Sequence, residues 1–369
     1  MKILCVIDHF GSGGAQRQMV NLACGLKDKG HDIEIFIYHL EQNFFREAID
    51  NAGIKVHEIK KADRFSLKVL FFLVQLIRGG GYKAVISFLD TPNIYCELAS
   101  LAAWNTRVIV SERSSYLAET SKIRALIRSL LHIFADTVVT NSNSHSQWLR
   151  RYCWLRGKIK TIYNGYLIDS EVIFDVSNPP PLKLLAIGRV GPEKNCIRLI
   201  DALDIFYQRN GYVPKISWVG RTDQSVAGMQ YSRDVYAKLV HHPMVKENWT
   251  WLGVRKDIPS LLEDHRALIH ASLYEGLPNV VCEALVAGRP VLVSDVCDHP
   301  ILVENGQRGF LFDPLDPTSI ANSIERLVSQ TDAEWRDFSI NSRNYALEML
   351  NLNRMIQEYE DLLVASNSC

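Results

Sequence analysis

The chain has 369 residues, 47% of them hydrophobic and 22% charged, enough for two domains with a core each. Its most apolar stretch, Phe65 to Ile77, is thirteen residues with Lys68 inside it, too short to span a bilayer. Formal net charge is zero but unevenly spread: residues 1–170 hold 22 Lys+Arg against 15 Asp+Glu, and the remainder 19 against 26. Such a split predicts a polarised molecule with one anion-facing side. The eight cysteines form no C-x-x-C pair and several sit in apolar runs, as expected of reduced core residues in a cytoplasmic protein. There is no metal-ligand cluster and no D-x-D triplet, so neither a metal nor another cofactor is expected. The N-terminus runs straight into a strand with no signal peptide, so the chain is expected to be soluble or peripheral. A nucleic-acid partner is not expected.

Taken in order, Lys2–Ile7 reads as a strand, and the glycine-rich stretch from Gly11 through Gly13 and Gly14 as a turn. A helix from Ala15 to Lys29 follows, with Met19, Leu22, Ala23 and Leu26 on one face, then a strand Ile33–Tyr38. This is a βαβ opening of Rossmann type, but Gln16 stands where a dinucleotide fingerprint needs glycine, which disfavours NAD. The glycines either admit a ligand to the backbone or simply make a tight turn. Ser66–Arg78, tipped by Lys60, Lys61, Arg64 and Lys68, and Lys122–Phe134 are predicted as basic helices with much apolar surface. Each either lies on an anionic membrane or packs on its own sheet with a solvated basic edge. Strands at 84–88, 106–111, 137–140 and 159–162 complete the first domain. The second of these ends in Ser111-Glu112-Arg113-Ser114, at the edge where open α/β sheets bind ligands.

From Ser170 the periodicity fades into Asn178-Pro179-Pro180-Pro181. Predicted boundaries are therefore 1–168 for the first domain, 169–181 for a linker, 182–345 for the second domain and 346–369 for a terminal helical segment. The strand Leu182–Ile187 leads into Gly188-Arg189-Val190-Gly191-Pro192-Glu193-Lys194-Asn195, where Asn195 is a candidate helix cap. Arg189 suits bidentate phosphate binding and Lys194 offers a point charge; alternatively both are solvated cations. Strands at 216–219 and 249–252 end at Gly220 and Gly253. Then comes Ala267–Ala271, the turn Tyr274-Glu275-Gly276-Leu277-Pro278 with proline at the first helical position, and a helix from Asn279 and Val280 stopped by Gly288. A helix start aimed over a turn is an anion site, flanked here by Glu275 and Glu283; an ordinary βα unit with solvated glutamates has the same spacing. Strands at 290–294 and 309–313 and two helices finish the chain.

Glu275-Gly276-Leu277-Pro278-Asn279 followed by Glu283-Ala284-Leu285 closely resembles the E-x7-E signature of the family four retaining glycosyltransferases. Gly188-Arg189 with Lys194-Asn195 is similar to that family's G-R-x(4)-K-N element, and Gly13-Gly14 to its N-terminal G-G. The resemblance lies chiefly in residues 182–312 and implies the GT-B fold: α/β, two facing Rossmann-like domains with parallel sheets and a cleft between them, the terminal helix within 346–369 crossing back to the N-terminal domain. It implies retaining, metal-independent transfer of a hexose or N-acetylhexosamine from a nucleotide-sugar, UDP being the commoner nucleotide, to an acceptor hydroxyl. Glu275, Arg189 and Lys194 would carry the catalysis. Gly13, Gly14, Gly188, Gly220, Gly253, Gly276, Leu277, Asn279, Val280 and Glu283 would complete the donor site, with Glu283 on the ribose and Gly14 reaching the phosphates on domain closure. The loop at Glu112 and Arg113 would face the acceptor; some relatives carry a histidine there and this chain has none, so no N-terminal catalytic base is assigned. Relatives commonly carry Pro-Glu after the strand at 290–294; here Pro300 precedes Ile301, and the nearest carboxylate is Glu304. The basic, partly apolar N-terminal half suits a glycan acceptor linked to a polyprenyl diphosphate, met at the cytoplasmic face of an inner membrane in surface polysaccharide or glycoconjugate synthesis. A sugar-nucleotide epimerase or hydrolase of this fold, and a nucleotide-sugar-binding protein without turnover, are the alternatives.

Overall fold

A computed structural model of the chain describes residues 1–61, 65–102, 105–115, 121–168, 176 and 179–364. Most of the predicted linker 169–181 lies outside the described residues, as do Arg64 and Cys369. The chain forms two compact units, Met1–Leu167 with Asn351–Cys369, and Ile168–Leu350.

The first unit is built on a seven-stranded, wholly parallel sheet. Its strands are β1 Lys2–Val6, β2 Asp32–Ile37, β3 Lys55–Glu58, β4 Ala84–Phe88, β5 Arg107–Glu112, β6 Thr137–Thr140 and β7 Ile159–Thr161, in the order β3-β2-β1-β4-β5-β6-β7. Both faces are covered, which is why the central strands read as unbroken apolar runs instead of alternating. From β1, Ile3 and Cys5 enter one core with Met19, Leu22 and Leu26 of the helix Gly14–Asp28; Leu4 and Val6 enter the other with Leu73 and Tyr95. The helix Leu352–Val364 belongs to this unit, and Met355, Ile356 and Tyr359 are buried in the first of those cores. Edge strand β3 escaped the sequence reading because its four residues, Lys-Val-His-Glu, carry one apolar side chain and none is fully buried.

The second unit carries a six-stranded parallel sheet ordered β10-β9-β8-β11-β12-β13. The strands are β8 Lys183–Ile187, β9 Lys215–Val219, β10 Trp249–Gly253, β11 Ala267–His270, β12 Val291–Ser294 and β13 Gly309–Phe312. Its core joins Leu199, Leu203 and Phe206 of the helix Cys196–Asn210 to Ile216, Trp218 and Ile269 of the sheet.

Two of the helices with apolar surface behave differently. Leu67–Gly80 buries Val69, Leu73 and Ile77 while Leu67 and Phe71 remain exposed. Lys122–Leu131 buries only Ala125 and Ser129, leaving Ile123, Leu126, Ile127 and Leu130 exposed, followed by Ile133 and Phe134. Among the described residues no helix is long and apolar enough to cross a membrane.

Candidate functional site

The second unit's candidate residues gather at the C-terminal edge of its sheet, where β8, β9, β10 and β11 release their loops. Backbone bonds tie these loops together: Gly188 N–H donates to Val219 O (2.8 Å), Gly220 N–H to Gly253 O (2.8 Å) and Leu273 N–H to Glu193 O (2.8 Å). Two glycines are dictated by close approach. A Cβ on Gly188 would lie 3.0 Å from Lys194 Cε, so its absence lets the lysine stem cross the loop. Gly220 has φ +148°, and a Cβ there would lie 2.0 Å from Gly188 O, against backbone that has nowhere to go.

Glu275 is the hub. Its Oε1 accepts from Lys194 Nζ (2.5 Å) and from His270 Nε2 (2.8 Å). Burial would raise the carboxyl's pKa, but His270 and the Lys194 ammonium outweigh it and hold it well below the usual range, so Glu275 stays ionised. Its backbone N–H donates to Cys297 Sγ (3.4 Å), whose own residue adopts φ +51°. Lys194 is therefore paired, and Glu275 takes one of its three N–H donors. Arg189 is half exposed, with Nη2 2.8 Å from Glu193 Oε1 and Nε 3.4 Å from Asp223 Oδ2.

The helix Asn279–Val286 starts one residue later than the sequence suggested. Pro278 has φ −76° and ψ 93°, an extended N-cap, and Asn279 is the first helical residue. Proline offers no capping side chain, and the N–H groups of Val281 and Cys282 donate to Pro278 O (3.0 and 3.1 Å). Leu277 is buried, Val280 is half-buried, and Glu283 lies one turn in, half-buried. The capping role expected of Asn195 is not realised: with φ 59° it ends the turn Pro192–Lys194 in a left-handed conformation, and its Nδ2 donates to Pro314 O (2.7 Å). Glu304 is exposed and pairs with Arg308 (3.1 Å).

The first unit holds Gly13 and Gly14 at the start of the helix Gly14–Asp28, with Gly13 as an extended N-cap and no side chain capping it. Gln16 is put to use: its Nε2 donates to Asp8 Oδ1 (2.9 Å) across the glycine turn. The acceptor-facing role expected of Glu112 and Arg113 meets a correction, because both side chains turn inward. Glu112 is 1% exposed; its Oε1 lies 2.8 Å from His132 Nε2 and 2.6 Å from Arg128 Nε, and its Oε2 2.8 Å from His145 Nε2. His132 also reaches the buried Glu97 through Nδ1. Arg113 donates to Asn164 Oδ1 (2.6 Å) and Tyr359 Oη (3.3 Å) and lies over the Phe88 ring. These residues fasten the loop; they do not present themselves to a ligand.

His270 and His299 were missed from sequence. Both are buried, their rings meet edge to face at 5.7 Å, and the only signal was a histidine closing an apolar run five residues before Glu275.

Residues 12–169 match the family described as Glycosyltransferase Family 4, and residues 169–345 the one described as Glycosyl transferases group 1. Among similar proteins, a Campylobacter jejuni alpha-1,4-N-acetyl-D-galactosaminyltransferase named for a GalNAc-containing diNAcBac-PP-undecaprenol substrate is 26% identical, over 95% of this chain and 92% of its own. An Escherichia coli UDP-Gal:alpha-D-GlcNAc-diphosphoundecaprenol alpha-1,3-galactosyltransferase is 26% identical, over 81% of this chain and 79% of its own. Among solved structures, Anabaena Alr3699/HepE in complex with UDP superposes with a TM-score of 0.83 at 20% identity, covering 98% of this chain and 99% of that one. The two matched segments meet at residue 169, the two parallel sheets and the superposition give the GT-B fold, and the chain belongs to the family four glycosyltransferases.

Proposed function

We propose that this glycosyltransferase moves a hexose or N-acetylhexosamine from a UDP-sugar to a hydroxyl of a polyprenyl-diphosphate-linked glycan, with retention and without a metal. The observation that carries the donor half is the bond of Lys194 to an ionised Glu275 in the turn before the helix Asn279–Val286, with Arg189 on the same loop as Lys194. Two side-chain cations and a helix N-terminus supply positive charge where a leaving diphosphate would develop negative charge. In this reading Glu275 accepts from sugar hydroxyls, and Glu283, half-buried one turn into the helix Asn279–Val286, accepts from the ribose, the role the family resemblance implies. The acceptor half draws on relatives named for undecaprenol-linked substrates and on the exposed Ile123, Ile127 and Leu130 beside Lys122 and Arg124, a surface suited to an anionic membrane.

The test is calorimetric binding of UDP and GDP, with and without EDTA, to the wild type and to Lys194→Ala. Micromolar UDP binding that ignores EDTA and weakens at least tenfold in the variant is the expected result. Binding that requires a divalent cation would overturn the metal-free reading, and no binding of either nucleotide would remove the donor site. Flotation of the protein with anionic liposomes at low salt tests the membrane half separately.

A further inference from the structure

We propose that His270 is a positioning residue for the transfer, holding Glu275 so that one carboxylate oxygen is fixed and the other is left to accept a donor-sugar hydroxyl. The inference rests on the donor site proposed above and extends it to a side chain that has no direct part in that reading.

His270 is the last residue of β11 and is 3% exposed. It and Lys194 place their donors on the same atom, Glu275 Oε1, at 2.8 and 2.5 Å. Two donors from different directions on one oxygen stop the carboxylate from rotating, while Oε2 has no protein partner among the described residues. An ionised carboxylate only accepts, so the proton must sit on His270 Nε2; Ser272 Oγ, 3.0 Å from the same nitrogen, can then only accept. The ring stays neutral: burial and the nearby Lys194 charge hold its pKa down, against the opposing pull of Glu275. His299 packs edge-on against it at 79°, and His299 is itself fixed by a 2.8 Å contact between Nδ1 and Ser294 O. The histidine therefore adds a donor without adding charge, and leaves the Lys194 ammonium as the local cation for a diphosphate. A second lysine here would compete with that role, and an aliphatic residue would let the carboxylate turn. A preset carboxylate accepts its ligand hydroxyl without reorganising during the reaction.

The experiment compares wild type, His270→Leu and His270→Gln. Calorimetry reads UDP binding, and UDP release is followed from a panel of UDP-hexoses and UDP-N-acetylhexosamines with a polyprenyl-diphosphate-linked N-acetylhexosamine as acceptor. UDP affinity should stay within about twofold of wild type in both variants, since the nucleotide contacts do not run through His270. In His270→Leu, kcat/KM should fall about 10- to 100-fold, mostly in kcat, the loss expected for a hydrogen bond to a charged group. His270→Gln, whose amide can still donate to Oε1, should recover about tenfold of it. A His270→Leu enzyme within threefold of wild type would overturn the proposal, as would parallel loss of UDP binding and turnover in both variants, which marks a purely structural residue. A wild type that neither binds UDP nor turns over any donor would instead bring down the proposed function, and this inference with it.

Discussion

Replacing His132 by leucine should uncouple the acidic cluster beneath the β5 loop. His132 is fully buried between Glu97 and Glu112 at the end of the helix that presents the exposed isoleucines. Asp90, Arg128 and His145 are the other titratable groups tied into this cluster. Burial alone would lower the imidazole's pKa, but Glu112 and then Glu97 overcome it and hold it up at about 10, against an ordinary 6.5. At 1.36 kcal/mol per tenfold change in proton affinity, that displacement corresponds to about 5 kcal/mol, and removing one partner from a buried ion pair costs about 3–5 kcal/mol by mutational precedent. The two routes agree, and the lower end applies where Glu97 takes up a proton in the variant. Because the folded pKa is raised, the contribution is fully present below about pH 6.5 and drains away as pH rises through 10. Hydrogen exchange of the β5 segment 107–112, corrected for intrinsic rates, should show a deficit of about 3–5 kcal/mol at pH 6 and about 1–2 kcal/mol at pH 9. A deficit below about 1 kcal/mol at pH 6, or one that is equal at both pH values, would refute the reasoning.

Gly220→Ala should lose about 1–3 kcal/mol from φ +148° alone, with a further penalty from the 2.0 Å approach to Gly188 O, and should weaken UDP binding. Thermal unfolding and calorimetry check this, and an unchanged affinity would show that the β8 and β9 loops need no such contact. His299 behaves oppositely to His132: burial and then His270 hold its pKa at about 3, so the unfolded chain binds the extra proton below 6.5 and stability falls as pH drops from 6.5 toward 3. A His299→Gln variant should show a flatter acid limb in urea titrations across that range; the same slope as wild type would count against it. Ile123→Glu with Ile127→Glu, at positions 70% and 53% exposed, should cut liposome flotation about tenfold with little change in Tm, whereas unaltered flotation would place the membrane contact elsewhere.

The two loops at the C-terminal edge of the second sheet were legible because their geometry is local in sequence. Gly188 to Lys194 is one strand-to-helix loop and Glu275 to Glu283 another, and each fixes its side chains by backbone geometry that short spacings reveal. What stayed hidden was made by the topology. His270 and His299 are 29 residues apart in sequence and meet only because β11 and β12 are neighbours in the sheet. Glu112 looked like a ligand-facing carboxylate from its place at a strand end, and nothing in Ser111-Glu112-Arg113-Ser114 discloses that two histidines from residues 132 and 145 turn it inward. Strand β3 was lost for a different reason: a short edge strand with little buried surface carries no period to read. Asn195 misled because its sequence suits a cap while a left-handed backbone at that point puts its amide elsewhere.

The membership of Leu352–Val364 in the first unit has a consequence for how the protein is made. Tyr359, Met355 and Ile356 are core residues of a sheet whose strands all lie before residue 162, so a nascent chain that has released every strand of that sheet still lacks one wall of its interior. The 183 residues of Ile168–Leu350 must be synthesised first, which at about 5–20 residues per second takes roughly 10–40 s. During that interval the second unit has its whole sequence available and can complete itself, although it is later in the gene. The ribosome therefore delivers the first unit to its final packing last, with apolar surface of its core waiting for the helix Leu352–Val364.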